Sequence, residues 1–268
     1  MMLGASTIYA YPKSVIGAIQ TIAEMGFRHV NIFAYPPHFK EDGEEFVSKV
    51  KDALFKYGLD ASIKIQAYTI NPAATNPHLR EKSIEEIKYW IDVASRLECS
   101  QIIIRSGMFF YAERVFFHES YERLLETLAG IMDFADERGL EVLIENYPYP
   151  FDVVRDPADF LKIQKNLGRD LGLALNVPHL YDVYKRRKKF EFSQEFSSIL
   201  PFTRMIYVSE YMNPWDYPHK LNVEYDNLLK LTSNVVNFFR RGNVRALVFI
   251  AFNSDELKEL KTKFSDML

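Results

Sequence analysis

The 268-residue chain is 48% hydrophobic, enough to bury a large core within one domain. Its net charge of −3 and pI near 6.1 leave no basic footprint for nucleic acid or an anionic membrane surface. A single cysteine, Cys99, excludes an internal disulfide, and the opening stretch MMLGASTIYAYPKS lacks the long apolar run of a secretion signal, so a cytoplasmic protein is expected.

Residues 3–9 read as a first strand, followed by a helix over about 13–25 in which Val15, Ala18, Ile19, Ile22 and Ala23 share one face and Gly26 closes the end. Residues 29–34 give a second strand, 44–57 a second helix stopped by Gly58, and 61–67 a third strand. The stretch 68–82 reads as a long loop holding the turn signals Asn71-Pro72 and Asn76-Pro77. Ser83 and Glu86 then form a capping box for a third helix striped by Ile84, Ile87, Ile91 and Ala94. Strand four, 101–105, is nearly all isoleucine, as a parallel strand covered on both faces should be.

A fourth helix, about 120–138, turns Leu124, Leu128, Ile131 and Ala135 inward and stops at Gly139. The segment 140–181 is the most informative of the chain. One strand ends in Glu145-Asn146, a helix follows with Asp156 as N-cap, Pro157 at its first position and Gly168 past its end, and a second strand ends in Asn176-Val177-Pro178-His179. A less regular stretch with the basic run KRRKK at 185–189 precedes a short helix near 193–200. A strand at 204–209, the aromatic loop YMNPWDYPHKLN, a helix over about 225–240, a strand at 246–251 and a helix from Asp255 complete eight units. With no linker or shift in composition, this alternation predicts one α/β domain over 1–268, a (β/α)8 TIM barrel. The runner-up is an open doubly wound sheet, but no strand is followed by a glycine-rich phosphate loop.

Barrels of this kind carry their chemistry at the C-terminal ends of the strands. Glu145 there needs a partner, and two compatible readings stand: a buried ion pair with Arg105 on the neighbouring strand, or a base and hydrogen-bond acceptor for substrate. Arg105 either grips a phosphate or carboxylate of a ligand or neutralises Glu145. His179 is a structural histidine or an acid/base, and Glu210 a rim carboxylate or a second acid. Tyr211, Trp215, Tyr217 and His219, like Phe109, Phe110 and Tyr111, either wall a pocket or pack their loops. The basic run at 185–189 reads as a solvated loop.

The fragments AEMGFRHVNI, QAYTIN, IIIRSG, VLIEN, LALNVPH and IYVSE, in this order and at these strand ends, resemble the xylose isomerase-like barrel superfamily over essentially the whole chain. That group includes sugar-phosphate isomerases and epimerases, inosose dehydratases and an apurinic-site endonuclease. In its epimerases a metal is held by Glu, Asp, His and Glu after strands five to eight. The matching positions here are Glu145, Asn176, Tyr207 and Ala251, of which only Glu145 is unchanged. The second-strand Glu is Asn31, the third-strand His is Gln66 and the fourth-strand His is Arg105. His179 keeps the end of the D-x-x-H motif and Glu210 the acid after strand seven, while HKLNVEYD stands where a glycine-rich turn is usual.

One carboxylate and one amide oxygen make a weak site for a hard cation, and Arg105 would repel it. The expectation is therefore that the family metal (Mn²⁺, Mg²⁺ or Zn²⁺) is absent or loosely held, with Glu145 and Asn176 as its ligands if it binds. What the resemblance implies is an enzyme acting on a small polyol or keto-sugar by isomerisation, epimerisation or a related proton transfer. In that reading Glu145 is the base, His179 or Glu210 the second acid/base, and Arg105 replaces the metal. Gln66, Asn146, Asn176, Tyr207, Trp215 and His219 bind the substrate. The alternative is a barrel that has lost catalysis and serves as a small-molecule-binding or regulatory protein. The endonuclease branch needs a multi-metal cluster that these positions lack. The expected partner is a sugar-like small molecule, without nucleic acid or membrane, and the oligomeric state is left open.

Overall fold

The computed structural model describes residues 1–11, 13–39, 43–65, 70–109, 117–185, 192–209, 225–240 and 242–265. Eight parallel strands pair in sequence order: β1 (Met2–Ser6), β2 (His29–Ala34), β3 (Asp60–Ile65), β4 (Gln101–Arg105), β5 (Glu141–Glu145), β6 (Gly172–Asn176), β7 (Thr203–Val208) and β8 (Ala246–Phe249). β8 returns to β1 through the pairs Met2↔Ala246 to Ala5↔Phe249, which closes the barrel. The (β/α)8 expectation holds and the open sheet is excluded.

Around the strands run α1 (Val15–Glu24), α2 (Glu44–Tyr57), α3 (Pro77–Arg96), α4 (Phe117–Asp136), α5 (Pro157–Leu167), α6 (Val177–Lys185), α7 (Phe192–Ile199), α8 (Tyr225–Phe239) and α9 (Ser254–Ser265). The predicted stripes of α1 and α4 face inward: Val15, Ala18, Ile19 and Ile22 and Leu124, Leu128, Ile131 and Ala135 are buried, while Ala23 of the α1 stripe is half-buried. The Asp156 carboxylate accepts the Asp159 N–H at 3.1 Å as the cap of α5, and Gly168 ends that helix in the left-handed region. No helix among the described residues is long and apolar enough to cross a membrane.

Among the boundaries that differ from the sequence reading, three have a visible local origin. β1 stops at Ser6, whose hydroxyl accepts from Ile8 N and opens a 3-10 turn over Thr7–Ala10. α3 starts six residues before the expected capping box, because Asn76-Pro77 is its cap and first residue, Asn76 Oδ1 accepting from His78 N and Leu79 N. Ser83 therefore lies inside the helix, bonded to Leu79 O and receiving Asn71 N at 2.8 Å. Val177-Pro178-His179, read as the end of a strand, is already helical: α6 follows β6 without a break and carries His179 in its first turn.

Inside the barrel the filling is uneven. An aliphatic layer of Ile103, Leu143, Ala174, Met205, Ala246 and Val248 packs beside the Tyr207 ring. β2 and β3 contribute polar side chains instead. The Tyr207 hydroxyl donates to Asn31 Oδ1 at 3.2 Å, Asn31 Nδ2 to Ser62 Oγ at 2.9 Å, and the Ser62 hydroxyl faces His29 Nε2 at 2.9 Å. His29 Nδ1–H reaches Asp60 at 2.7 Å, and Arg245 clamps Asp60 from the start of β8. Every member of this column is partnered, which removes the penalty of burying polar groups. Gly4 makes room for it, since a Cβ there would lie 3.0 Å from the His29 ring and from the His29 carbonyl.

Candidate functional site

The ends of β3, β4, β5 and β6 bring Lys64, Arg105, Glu145 and Asn176 to one mouth, with His179 immediately beyond. Glu145 is 1% exposed and is surrounded by donors. Lys64 Nζ lies 2.8 Å from its Oε1 and 2.7 Å from its Oε2. Asn176 Nδ2 donates to Oε1 at 2.8 Å and the Tyr147 hydroxyl to Oε2 at 3.3 Å. The orientation of the Asn176 amide is fixed from the other side, because its Oδ1 accepts the His179 backbone N–H at 3.1 Å.

The buried ion pair expected between Glu145 and Arg105 takes a different form. Their backbones are register partners on β4 and β5. Yet the Arg105 guanidinium turns to Asp152 of the loop after β5, its Nε (at 2.7 Å) and Nη2 both donating to the single oxygen Oδ1, and stacks on the Tyr147 ring at 4.5 Å. Burial raises the Asp152 carboxyl to about 6 against the pull of Arg105, so it is ionised at neutral pH. Asp152 is held in place by its own loop: Tyr149 N donates to its Oδ2 at 3.1 Å, and Phe109 N bonds Phe151 O at 3.0 Å. The preceding loops join this knot, with Asn71 exchanging two hydrogen bonds with the Met108 backbone at 2.8 and 2.9 Å.

His179 Nδ1 lies 2.9 Å from the Asn146 carbonyl, which can only accept, so this nitrogen carries the proton. Burial pushes the ring down to about 4, with Glu145 at 3.9 Å opposing the shift. At neutral pH the ring is thus uncharged and Nε2 holds a lone pair. The Asn146 side chain is a brace: its Oδ1 accepts Asn176 N at 2.7 Å and its Nδ2 donates to Asn176 O at 3.1 Å. Tyr207 is wholly buried below the mouth, and burial keeps its phenol far above the ordinary range, hence a donor. Gln66, Glu210, Trp215 and His219 lie outside the described residues, as does most of the 185–189 run.

Of the residues singled out in the sequence, Arg105, Glu145, Asn146, Asn176 and His179 are brought together at this mouth. Sequence reasoning missed Lys64, Tyr147 and Asp152. Lys64 had a signal: in ASIKIQ it alternates in phase with Ser62, so a cation had to enter the lumen. Asp152 had none beyond the need of a buried guanidinium for an acceptor.

The residues at the family's metal positions do not fit a divalent ion. The one retained carboxylate has an ammonium on both oxygens, Asn176 turns its nitrogen rather than its oxygen toward it, and Ala251 offers no donor. Among the described residues no group of three or more His, Cys, Asp or Glu side chains could hold a metal ion.

The family profile described as xylose isomerase-like TIM barrel matches residues 19–238. Two uncharacterized proteins of Methanocaldococcus jannaschii are similar in sequence. MJ1311 is 22% identical over 67% of this chain and 61% of its own length, and MJ1188 is 21% identical over 81% and 77%. The chain thus spans under two thirds of the first of these. Among solved structures, a D-tagatose 3-epimerase-like protein superposes with a TM-score of 0.81 at 16% identity, covering 100% of this chain and 97% of that one. A D-psicose 3-epimerase crystallised in the presence of D-fructose gives 0.75 at 16% identity, covering 94% and 85%. The 3-keto-D-glucoside 4-epimerase YcjR of E. coli gives 0.71 at 12% identity, covering 100% and 98%. At such identities the likeness is one of fold.

Proposed function

The chain belongs to the xylose isomerase-like TIM barrel family, and from that premise we propose that it transfers a proton beside the carbonyl of a small keto-sugar, as an isomerase or epimerase. The observation that carries the reading is the state of His179: an uncharged ring whose Nδ1–H is fixed on Asn146 O, leaving Nε2 as a proton acceptor at the strand ends. In this reading Nε2 takes the proton from the carbon next to the carbonyl. The C–H electron pair becomes the second bond of the enediolate and the carbonyl oxygen takes the negative charge. Return of a proton to the opposite face of that carbon epimerises it; return to the former carbonyl carbon, with the hydroxyl proton of the adjacent carbon passing to the enediolate oxygen as the new C=O forms, isomerises the sugar. Glu210 is the second acid. Glu145, with donors from Lys64, Asn176 and Tyr147, acts as an anchor and not as the base the sequence suggested.

The solved structures named above include a D-psicose 3-epimerase, a 3-keto-D-glucoside 4-epimerase and a D-tagatose 3-epimerase-like protein, which makes ketoses the substrates to try. The test is incorporation of solvent deuterium into D-tagatose, D-psicose and D-fructose, followed by proton NMR with and without chelator. Exchange in at least one sugar, reduced about a hundredfold or more in His179→Gln, is expected. No exchange from a broad panel of ketoses, with or without Mn²⁺, would overturn the reading. It would leave the second one, a barrel that binds a small molecule without turnover, which the closed Lys64–Glu145–Asn176 network also supports.

A further inference from the structure

We propose that Lys64 is a built-in replacement for the family's metal ion, its ammonium supplying from the protein the positive charge that stabilises the enediolate oxygen. This rests on the proton-transfer reading above. Three observations converge on it. Lys64 Nζ sits on both oxygens of Glu145, the single metal-position carboxylate that survives. The position that is Asp in the family is Asn176, whose amide donates to the same carboxylate. One cation thus faces one anion where a divalent ion needs at least two, so the loss of the acid and the presence of the lysine belong together. Lastly, Nζ lies 4.5 Å from the centre of the Tyr207 ring, whose π-face favours a cation held in the lumen.

The position also suits a reacting group. Lys64 reaches from β3 to Glu145 on β5 and over Tyr207 on β7, so it crosses the inside of the barrel. The aliphatic cluster packs beside Tyr207, and Lys64 keeps 13% of its side chain exposed, against 1% for Glu145. A cation already held by Glu145 and the Tyr207 ring needs no rearrangement as the oxyanion forms, which is the condition for strong electrostatic stabilisation.

Two arms test this. In the first, Mn²⁺ is titrated into the wild-type protein and its electron paramagnetic resonance followed. The expected result is no bound ion at Glu145. Uptake of one Mn²⁺ per chain that Glu145→Gln abolishes would overturn the proposal, since metal and lysine would then coexist. In the second, deuterium exchange into the ketose is measured for Lys64→Met and Lys64→Arg in the presence of EDTA. Wild type keeps its full rate, Lys64→Met loses about a hundredfold or more in kcat with a smaller change in KM, and Lys64→Arg recovers part of the loss. A Lys64→Met protein with wild-type kcat, or a wild-type protein silenced by EDTA, sinks the idea. Should no ketose exchange in wild type, the functional reading falls and the catalytic role of Lys64 with it, while the Mn²⁺ arm still decides whether the lysine has taken the place of a metal at Glu145.

Discussion

Replacing His179 with Gln changes how stability depends on pH, and the size of the change follows from the site. The folded protein holds the His179 ring down to about 4 because it is buried, whereas an unfolded chain protonates it near 6.5. The unfolded state therefore binds more protons between these values, and the contribution present above pH ~6.5 is lost as pH falls toward 4. A difference of roughly 2.5 pKa units at about 1.4 kcal/mol each makes that loss about 3 kcal/mol. Gln keeps much of the volume and a donor for the Asn146 carbonyl but does not titrate. Any fixed penalty of the substitution is the same at every pH. Asp152, raised to about 6, works in the opposite sense, gaining stability as pH falls, but it is present in both proteins and cancels. Urea unfolding of wild type and His179→Gln from about pH 7.5 to 4, followed by circular dichroism, should show their stability difference shift by about 3 kcal/mol in favour of the variant at low pH. A difference that stays constant across that range would refute the burial argument and with it the uncharged state of the His179 ring.

The same titration sets the chemistry: with a ketose in hand, the acid limb of kcat/KM is expected at about 4, and a limb at the ordinary histidine value would show another base at work. Tyr207→Phe removes the donor to Asn31 Oδ1 within the wholly buried column, so a loss of about 1–3 kcal/mol in urea titrations is expected, and a neutral result would mean that the column is not a structural unit. Gly107→Ala puts a methyl 2.7 Å from Ala73 Cβ and 2.8 Å from the Ala73 backbone N at a φ of +96°, and strain plus crowding predict a loss of about 2–4 kcal/mol. If that variant unfolds at the wild-type midpoint, the knot of loops over Arg105 is looser than described.

The barrel was legible because most strands are short apolar runs and several helices are bounded by a cap or a glycine, as around Asp156 and Gly168. Boundaries were lost where two signals competed. Ser83-x-x-Glu86 imitates a capping box, yet Asn76-Pro77 is the true start and Ser83 instead anchors the Asn71 backbone. In the site, strand-end position sufficed for Arg105, Glu145, Asn176 and His179. The pairing among them was not readable, because a lysine reaches across the lumen from the level of Ile103 and an aspartate returns from a loop 47 residues after Arg105. Neither separation leaves a periodic trace in the chain.

The salt link between Arg245 and Asp60, 185 residues apart, joins the last strand to the third across the end of the cylinder remote from the mouth. A fragment cut before β8 would lose that fastening, and with it the guanidinium that faces the anchor of the His29–Ser62–Asn31–Tyr207 series. Splitting this protein between its seventh and eighth repeats should thus yield pieces that fold only in each other's company, with the short C-terminal segment acting as the key that locks the larger one.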